Sequence, residues 1–322
     1  MTTPESPVCA SEEHLEMYRS HAYTAALFFN LAIAITSIVL IMLATKKLMS
    51  EGIINTSTRI FLIVGLMCCT LHQTAYIFLR ASQRLLIFFR LSEPCRLYYK
   101  AYDCRLVTFG LVAGNCGMIL IQSAMTVDRI LATVFANLWP RLKYWPGVVL
   151  SVMVIVSNYL VNEYVFWNDP LTDYRFMRFL TVAFYLSIGH MFVNVVILYR
   201  NVVQDRRQRN SFNVNERYQS RETLKSTQAI FFLSMSQFFA MFLYTVLTDF
   251  FLKLQPTITP LQYGLALALI YTTPYTCIVI PTLIMLTLCF IRHQRMRSIN
   301  AMRSQTETGD EHMRKIQEIW AK

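Results

Sequence analysis

Apolar runs of about twenty residues, each free of Asp, Glu, Lys and Arg, recur seven times along the chain, near 22–45, 60–79, 106–127, 145–162, 179–199, 226–248 and 262–291. Crossing roughly 30 Å of hydrocarbon takes about 20 residues as a helix, which satisfies its own backbone polar groups without water. The pattern therefore predicts an all-α membrane protein, a seven-transmembrane helix bundle. The fourth run is the shortest, and the seventh is long enough to tilt or to continue along the membrane surface. A soluble bundle would show amphipathic stripes instead.

The polar pieces between the runs set the orientation, because short loops rich in Lys and Arg stay cytoplasmic. With the N-terminus outside, the inner pieces 46–59, 129–143, 200–225 and 292–322 carry 20 of the 30 basic residues. Glu12, Glu13 and Glu16 before the first run, and Lys46 and Lys47 after it, point the same way. The expected division is an extracellular N-terminus over 1–21, a membrane domain over 22–291 and a cytoplasmic tail over 292–322. One outer piece opposes the trend, with Arg80, Arg84, Arg90, Arg96, Lys100 and Arg105. The sequon Asn55-Thr56-Ser57 falls in a loop that this topology places inside, and is read as chance.

Composition narrows the picture further. Only 15% of the 322 residues are charged and 55% are hydrophobic, against about 25% charged in soluble domains. The net charge of +11 is spread between uncharged stretches rather than gathered on a soluble face, so no nucleic-acid partner is expected. Residues 1–21 lack the short apolar core of a cleavable signal peptide, which leaves the first run as the insertion signal. Of eight cysteines, Cys68, Cys69, Cys116, Cys277 and Cys289 fall inside apolar runs, leaving Cys9, Cys95 and Cys104 to meet an oxidising compartment.

Candidate chemistry is concentrated at few positions. Asp128-Arg129, in Ala124-Met125-Thr126-Val127-Asp128-Arg129, stands where the third helix should leave the membrane. Arginine is costly in hydrocarbon, so its position marks a snorkelling boundary or a function. At about 1.5 Å per residue, Cys104 and Arg129 reach opposite membrane faces. That arrangement resembles the rhodopsin-like G-protein-coupled receptors, although the second run has no central Asp, the sixth no Cys-Trp-x-Pro, and the seventh has Ile280-Pro281-Thr282-Leu283-Ile284 in place of Asn-Pro-x-x-Tyr. Glu222 is the candidate acid for an inactive-state ion pair with Arg129, or a solvated helix end; Arg217 joins this group as a G-protein contact. Pro274 and Pro281 predict a kink in the seventh helix, either a hinge or an ordinary membrane proline.

The polar residues within the runs, His72, Gln73, Asn115, Gln122, His190, Asn194 and Gln237, with Asp249 near the outer end of the sixth, should face the bundle. His190 and Asn194 share a helix face and serve either an interhelical hydrogen bond or a ligand. Tyr76, Phe109, Tyr185, Phe239, Phe242, Tyr244, Tyr271 and Tyr275 fall in the outer halves, where aromatic bodies with a few polar tips suit a small, largely apolar ligand. With His72, Asn115 and His190 they are the pocket candidates. The basic inner loops suit acidic lipid headgroups or a G protein, while Met313, Ile316 and Trp320 form a weak apolar face on the tail. No metal-ligand spacing occurs, no cofactor is expected, and neither His-Glu-x-x-His nor a Ser/Lys pair suggests an enzyme.

Several strings are more specific than these arguments. They are Cys9-Ala10-Ser11-Glu12, Ser57-Thr58-Arg59-Ile60, Leu71-His72-Gln73, Glu93-Pro94-Cys95, Asp103-Cys104, Gly114-Asn115-Cys116-Gly117-Met118 and Asp128-Arg129-Ile130-Leu131-Ala132-Thr133, continuing with Trp167-Asn168-Asp169-Pro170-Leu171, Arg217-Tyr218-Gln219-Ser220-Arg221-Glu222 and Pro274-Tyr275. In this order the chain resembles the nematode serpentine receptor class alpha family, in which Glu-Arg is usual where this chain has Asp128-Arg129. The resemblance implies a chemosensory receptor at the plasma membrane of ciliated sensory neurons, coupling an odorant-like or pheromone-like molecule to a heterotrimeric G protein. The resemblance to rhodopsin-like receptors implies a disulfide between the cysteine atop the third span and the second outer loop. Residues 163–178 contain no cysteine, so Cys104 is expected to pair with Cys95 or Cys9, or to stay free. The competing class is a ligand-gated channel subunit of the seven-helix odorant-receptor type, which places its N-terminus inside.

Overall fold

The structure is a computed structural model that describes residues 11–50, 54–90, 93, 95, 105–135, 142, 144–166, 173–208, 214–305, 313, 314 and 317. A short helix α1 (Glu12–Arg19) precedes α2 (His21–Ser50), α3 (Thr56–Arg90), α4 (Arg105–Val134), α5 (Trp145–Phe166), α6 (Asp173–Gln208), α7 (Val214–Leu254), α8 (Pro260–Ile270) and α9 (Thr273–Gln305). Seven stretches are long and apolar enough to cross a membrane, with α8 and α9 together forming the seventh. Six contain the apolar run read from the sequence, and the fifth, Thr181–Gln208, covers all but the first two residues of its run. Phe28, Phe29, Ile155 and Phe192 are among the large apolar side chains left exposed around the bundle, as a protein solvated by lipid requires.

The third span, α4, is the axis of the bundle. Its apolar window is 61% buried, against 22–39% in the other six. Glycine sets its approach to α3: a Cβ added at Gly114 would stand 2.6 Å from His72 Cβ and 2.7 Å from the His72 backbone nitrogen, and one at Gly110 2.9 Å from Ala75 Cβ. Side chains there would force the helices apart, so small residues fix the crossing. An apolar cluster including Phe61, Leu66, Met118, Ile230 and Leu288 fills the inner half, and a second with Ala183, Met241 and Tyr244 lies further out. At the outer end, the side assigned from loop charge, Met17 of α1 packs with Tyr23, Leu27 and Ile87.

The seventh span departs from the expected proline kink. It breaks outright between Ile270 and Thr273. Pro274 stands in the first turn of α9, where a missing N–H costs little, and Pro281 lies inside the helix. Pro281 cannot donate to the Cys277 carbonyl four residues earlier; Ser37 Oγ donates to that oxygen instead, at 2.9 Å. Beside the break, Asn30 Nδ2 donates to the Ala268 carbonyl at 2.9 Å and Gln73 Nε2 to the Pro274 carbonyl at 3.2 Å. Polar side chains on α2 and α3 thus hold an interrupted helix without exposing its backbone to lipid.

His72, Gln73, Asn115, Gln122, Asn194 and Gln237 are buried as the pattern requires, and His190 is half-buried. Asp249 is a correction: it stands exposed at the outer end of α7, where Lys253 one turn later donates to it at 2.6 Å. Cys95 is disulfide-bonded, and Cys68, Cys69, Cys116, Cys277 and Cys289 are free thiols. Cys9, Cys104, Ile316 and Trp320 lie outside the described residues, whereas Met313 is exposed.

Candidate functional site

Two polar constellations occupy opposite ends of the bundle. At the inner end, Asp128 and Arg129 are 0% and 2% exposed. They form a salt bridge with each other, and Arg129 Nε lies 3.1 Å from Asp128 Oδ2. Arg129 Nη1 also donates to Ser226 Oγ on α7, and Nη2 to Thr58 Oγ1 on α3 at 3.3 Å. Ser57 Oγ donates to Asp128 Oδ1 at 3.1 Å. One buried ion pair on α4 therefore ties the inner parts of α3 and α7 together. Charge-assisted hydrogen bonds of this kind are the strong ones, and losing one partner strands a buried charge.

Glu222, the acid expected opposite Arg129, stands half-buried one turn before Ser226. It lines a small cavity with Thr58, Ser226, Ile230 and Ile291. The carboxylate bound to Arg129 is the adjacent Asp128, because the rotation of α7 presents Ser226 to the guanidinium. Arg217 belongs to α7. Asn55 has a structural use here: its Oδ1 accepts from the Ser57 N–H at 3.1 Å, which caps the start of α3. The serine and threonine partners were present in the string Ser57-Thr58-Arg59-Ile60, but spacing alone did not mark them.

Polar ties of the same type continue beside this pair. Thr133 Oγ1 on α4 donates to Asn201 Oδ1 on α6 at 3.3 Å, and Asn201 Nδ2 donates to Thr227 Oγ1 on α7 at 2.9 Å. Deeper in the bundle, Asn194 Nδ2 donates to Thr126 Oγ1 at 3.1 Å and to Ser234 Oγ at 2.9 Å. Of the two readings of His190 and Asn194, the interhelical hydrogen bond holds for Asn194. The amide of Gln122, buried on α4, has no hydrogen-bond partner.

The outer constellation is aromatic. His72 Nε2 and the Tyr271 hydroxyl lie 2.6 Å apart, so the broken segment of the seventh span is clasped to α3. Around them the ring centroids of Tyr76 and Tyr271 are 5.4 Å apart, those of Tyr244 and Tyr271 5.6 Å. The structure thus gathers His72, Tyr76, Tyr244 and Tyr271 from the candidate list. Asn115 is buried on α4, and Phe109 and Tyr275 are half-buried. Tyr185, Phe239 and Phe242 stand apart from this group, with 66%, 52% and 40% exposure. On α6 the buried stripe runs through Ala183 and Ser187, and on α7 through Met241, Tyr244 and Thr248; at about 100° per residue these three aromatics turn away from it.

Seven apolar spans define a multi-pass helical membrane protein, with a buried acid–arginine pair at one end and an aromatic polar cluster at the other. The family model described as "Serpentine type 7TM GPCR chemoreceptor Sra" matches residues 4–320, and the chain belongs to that family. It is 63% identical, over the full length of both chains, to "Serpentine receptor class alpha-11" of Caenorhabditis briggsae. It is 62% identical to the Caenorhabditis elegans protein of the same name, over 99% of this chain and 100% of the relative. Identity to "Serpentine receptor class alpha-13" of C. elegans is 34%, over 97% of each chain.

Proposed function

We propose that this receptor binds a small molecule from the outer side and in response activates a heterotrimeric G protein at its inner end, in the plasma membrane of chemosensory cilia. The supporting observation is the buried Asp128–Arg129 pair with its bonds to α3 and α7. Such a tie closes the inner face and gives the bundle two discrete states, tied and released, between which a ligand can shift the balance. The cavity beside Ser226 holds about 40 Å³, room for a water or two but for no partner segment. Separation of α7 from Arg129 opens it. The break in the seventh span connects the two ends, since α8 carries the outer contacts and α9 lines the inner cavity.

The test is recruitment of a heterotrimer to receptor-containing membranes depleted of nucleotide, compared at matched surface levels. Once released, Arg129 is the side chain the G protein engages, so Arg129→Gln is expected to abolish recruitment although it also loosens the tie, and equal recruitment by this variant would sink the mechanism. Topology is checked by adding a glycosylation acceptor at the N-terminus. Modification there with Asn55 untouched is the expected result; modification at Asn55 inverts the protein and moves the channel class to first place.

A further inference from the structure

Six basic residues in the first outer piece run against the charge rule that orients the rest of the chain. Two of them, Arg80 and Arg84, stand half-buried on the outer turns of α3. Among the described residues neither is paired with a carboxylate. They face different surroundings. Arg84 turns towards α2, where Nη1 donates to Thr24 Oγ1 at 3.1 Å and the guanidinium lies 5.6 Å over the exposed ring of Phe28. That is the lipid side.

Arg80 lies 4.9 Å over the ring of Tyr76, within the aromatic cluster. Its Nη1 donates to Gln83 Oε1 at 3.0 Å, and Gln83 Nε2 donates to the Tyr23 hydroxyl at 3.1 Å. Among the described residues its Nε and His72 Nδ1 are buried without a hydrogen-bond partner, and the buried Tyr76 hydroxyl faces the Arg80 guanidinium. Tyr76 is 1% exposed and His72 0%. His72, Tyr76 and Arg80 follow at four-residue spacing, so they share one face of α3 over about 12 Å. A cation with no carboxylate partner among the described residues, a hydroxyl turned to it and a bare imidazole nitrogen along an otherwise aromatic wall form an incomplete site, because buried polar groups ordinarily have partners.

We propose that the outer site takes an elongated apolar molecule ending in a carboxylate, with the anion on Arg80 and the Tyr76 hydroxyl and the apolar body laid inward past Tyr271 towards His72. This rests on the receptor reading above and names the ligand class of its outer site. The guanidinium fork matches a carboxylate in shape and charge. Arg84 and Arg90, further along the outer turns of α3, raise the local concentration of anions at this end of the helix. An anionic lipid headgroup offers the same chemistry, but the arginine turned to the bilayer is Arg84.

The experiment uses full-length receptor in nanodiscs of zwitterionic lipid, with decanoate, decanol and decylamine as probes and binding read by native mass spectrometry. Decanoate is expected to bind about tenfold tighter than decanol, as a charge-assisted hydrogen bond allows. Arg80→Gln should erase that preference while leaving decanol binding in place, Arg80→Lys should retain part of it, and Arg84→Gln should leave it unchanged. Equal binding of decanol or decylamine, or an undiminished acid preference in Arg80→Gln, overturns the carboxylate assignment and leaves the outer pocket standing. Displacement of decanoate by added phosphatidylglycerol, or loss of preference in Arg84→Gln alone, assigns the anion site to lipid and also overturns it. If none of the three probes binds, the assignment fails together with the outer pocket, while the inner coupling is still judged by the recruitment assay.

Discussion

The two ends of the bundle solve the problem of polar groups in a membrane in opposite ways. At the inner end Arg129 uses all three guanidinium nitrogens, on Asp128, Ser226 and Thr58, and Asp128 uses both oxygens. At the outer end, among the described residues, His72 has a bare ring nitrogen, the Tyr76 hydroxyl has only the Arg80 guanidinium beside it, and Arg80 has no counter-charge. A satisfied network favours one arrangement and resists opening; an unsatisfied one gains free energy when something completes it. The contrast teaches which end holds the resting state and which end has affinity to spare.

The crossing that both ends share is the most sensitive point. Gly114→Val should leave little folded receptor, because the atoms met by its first carbon belong to the His72 backbone and cannot rotate away; overpacking typically costs about 1–3 kcal/mol even where neighbours can yield. Surface yield and detergent thermal stability measure it, and wild-type values would break the account of how α3 and α4 meet. The next effect separates the ends. Ser226→Ala removes the α7 bond of Arg129, worth about 1 kcal/mol, and should raise basal G-protein recruitment about fivefold. Unchanged recruitment would mean that the inner network does not hold the resting state.

Tyr271→Phe should have the smallest effect, and should act at the other end. It deletes the bond to His72 at a cost of about 1 kcal/mol, expected as a fall in melting temperature of roughly 2–4 °C, and it should alter decanoate affinity more than basal recruitment. A basal change as large as that of Ser226→Ala would erase the distinction between the two ends.

Much of this was readable along the chain. All seven runs became spans, and Asp128-Arg129 proved to be the buried inner ion pair. The break in the seventh span was signalled by Pro274, since proline is favoured in the first turn of a new helix, yet continuous hydrophobicity over 262–291 masked it. Partner choice was not readable. Glu222 and Ser226 lie one turn apart on α7, and a small rotation of that helix decides which of them meets Arg129. Tyr244 and Phe242 likewise differ only in the direction they face, and one is buried while the other reaches the surface.

Sequence alone determined the number of spans and the apolar stretch within each, because hydropathy acts locally along the chain. Tertiary structure decided the partners of Arg129, the clasp between His72 and Tyr271, and the separation of Arg80 from Arg84. Those choices depend on helix rotation and crossing, which are fixed by close packing at residues such as Gly110 and Gly114 and are carried by no single stretch of sequence.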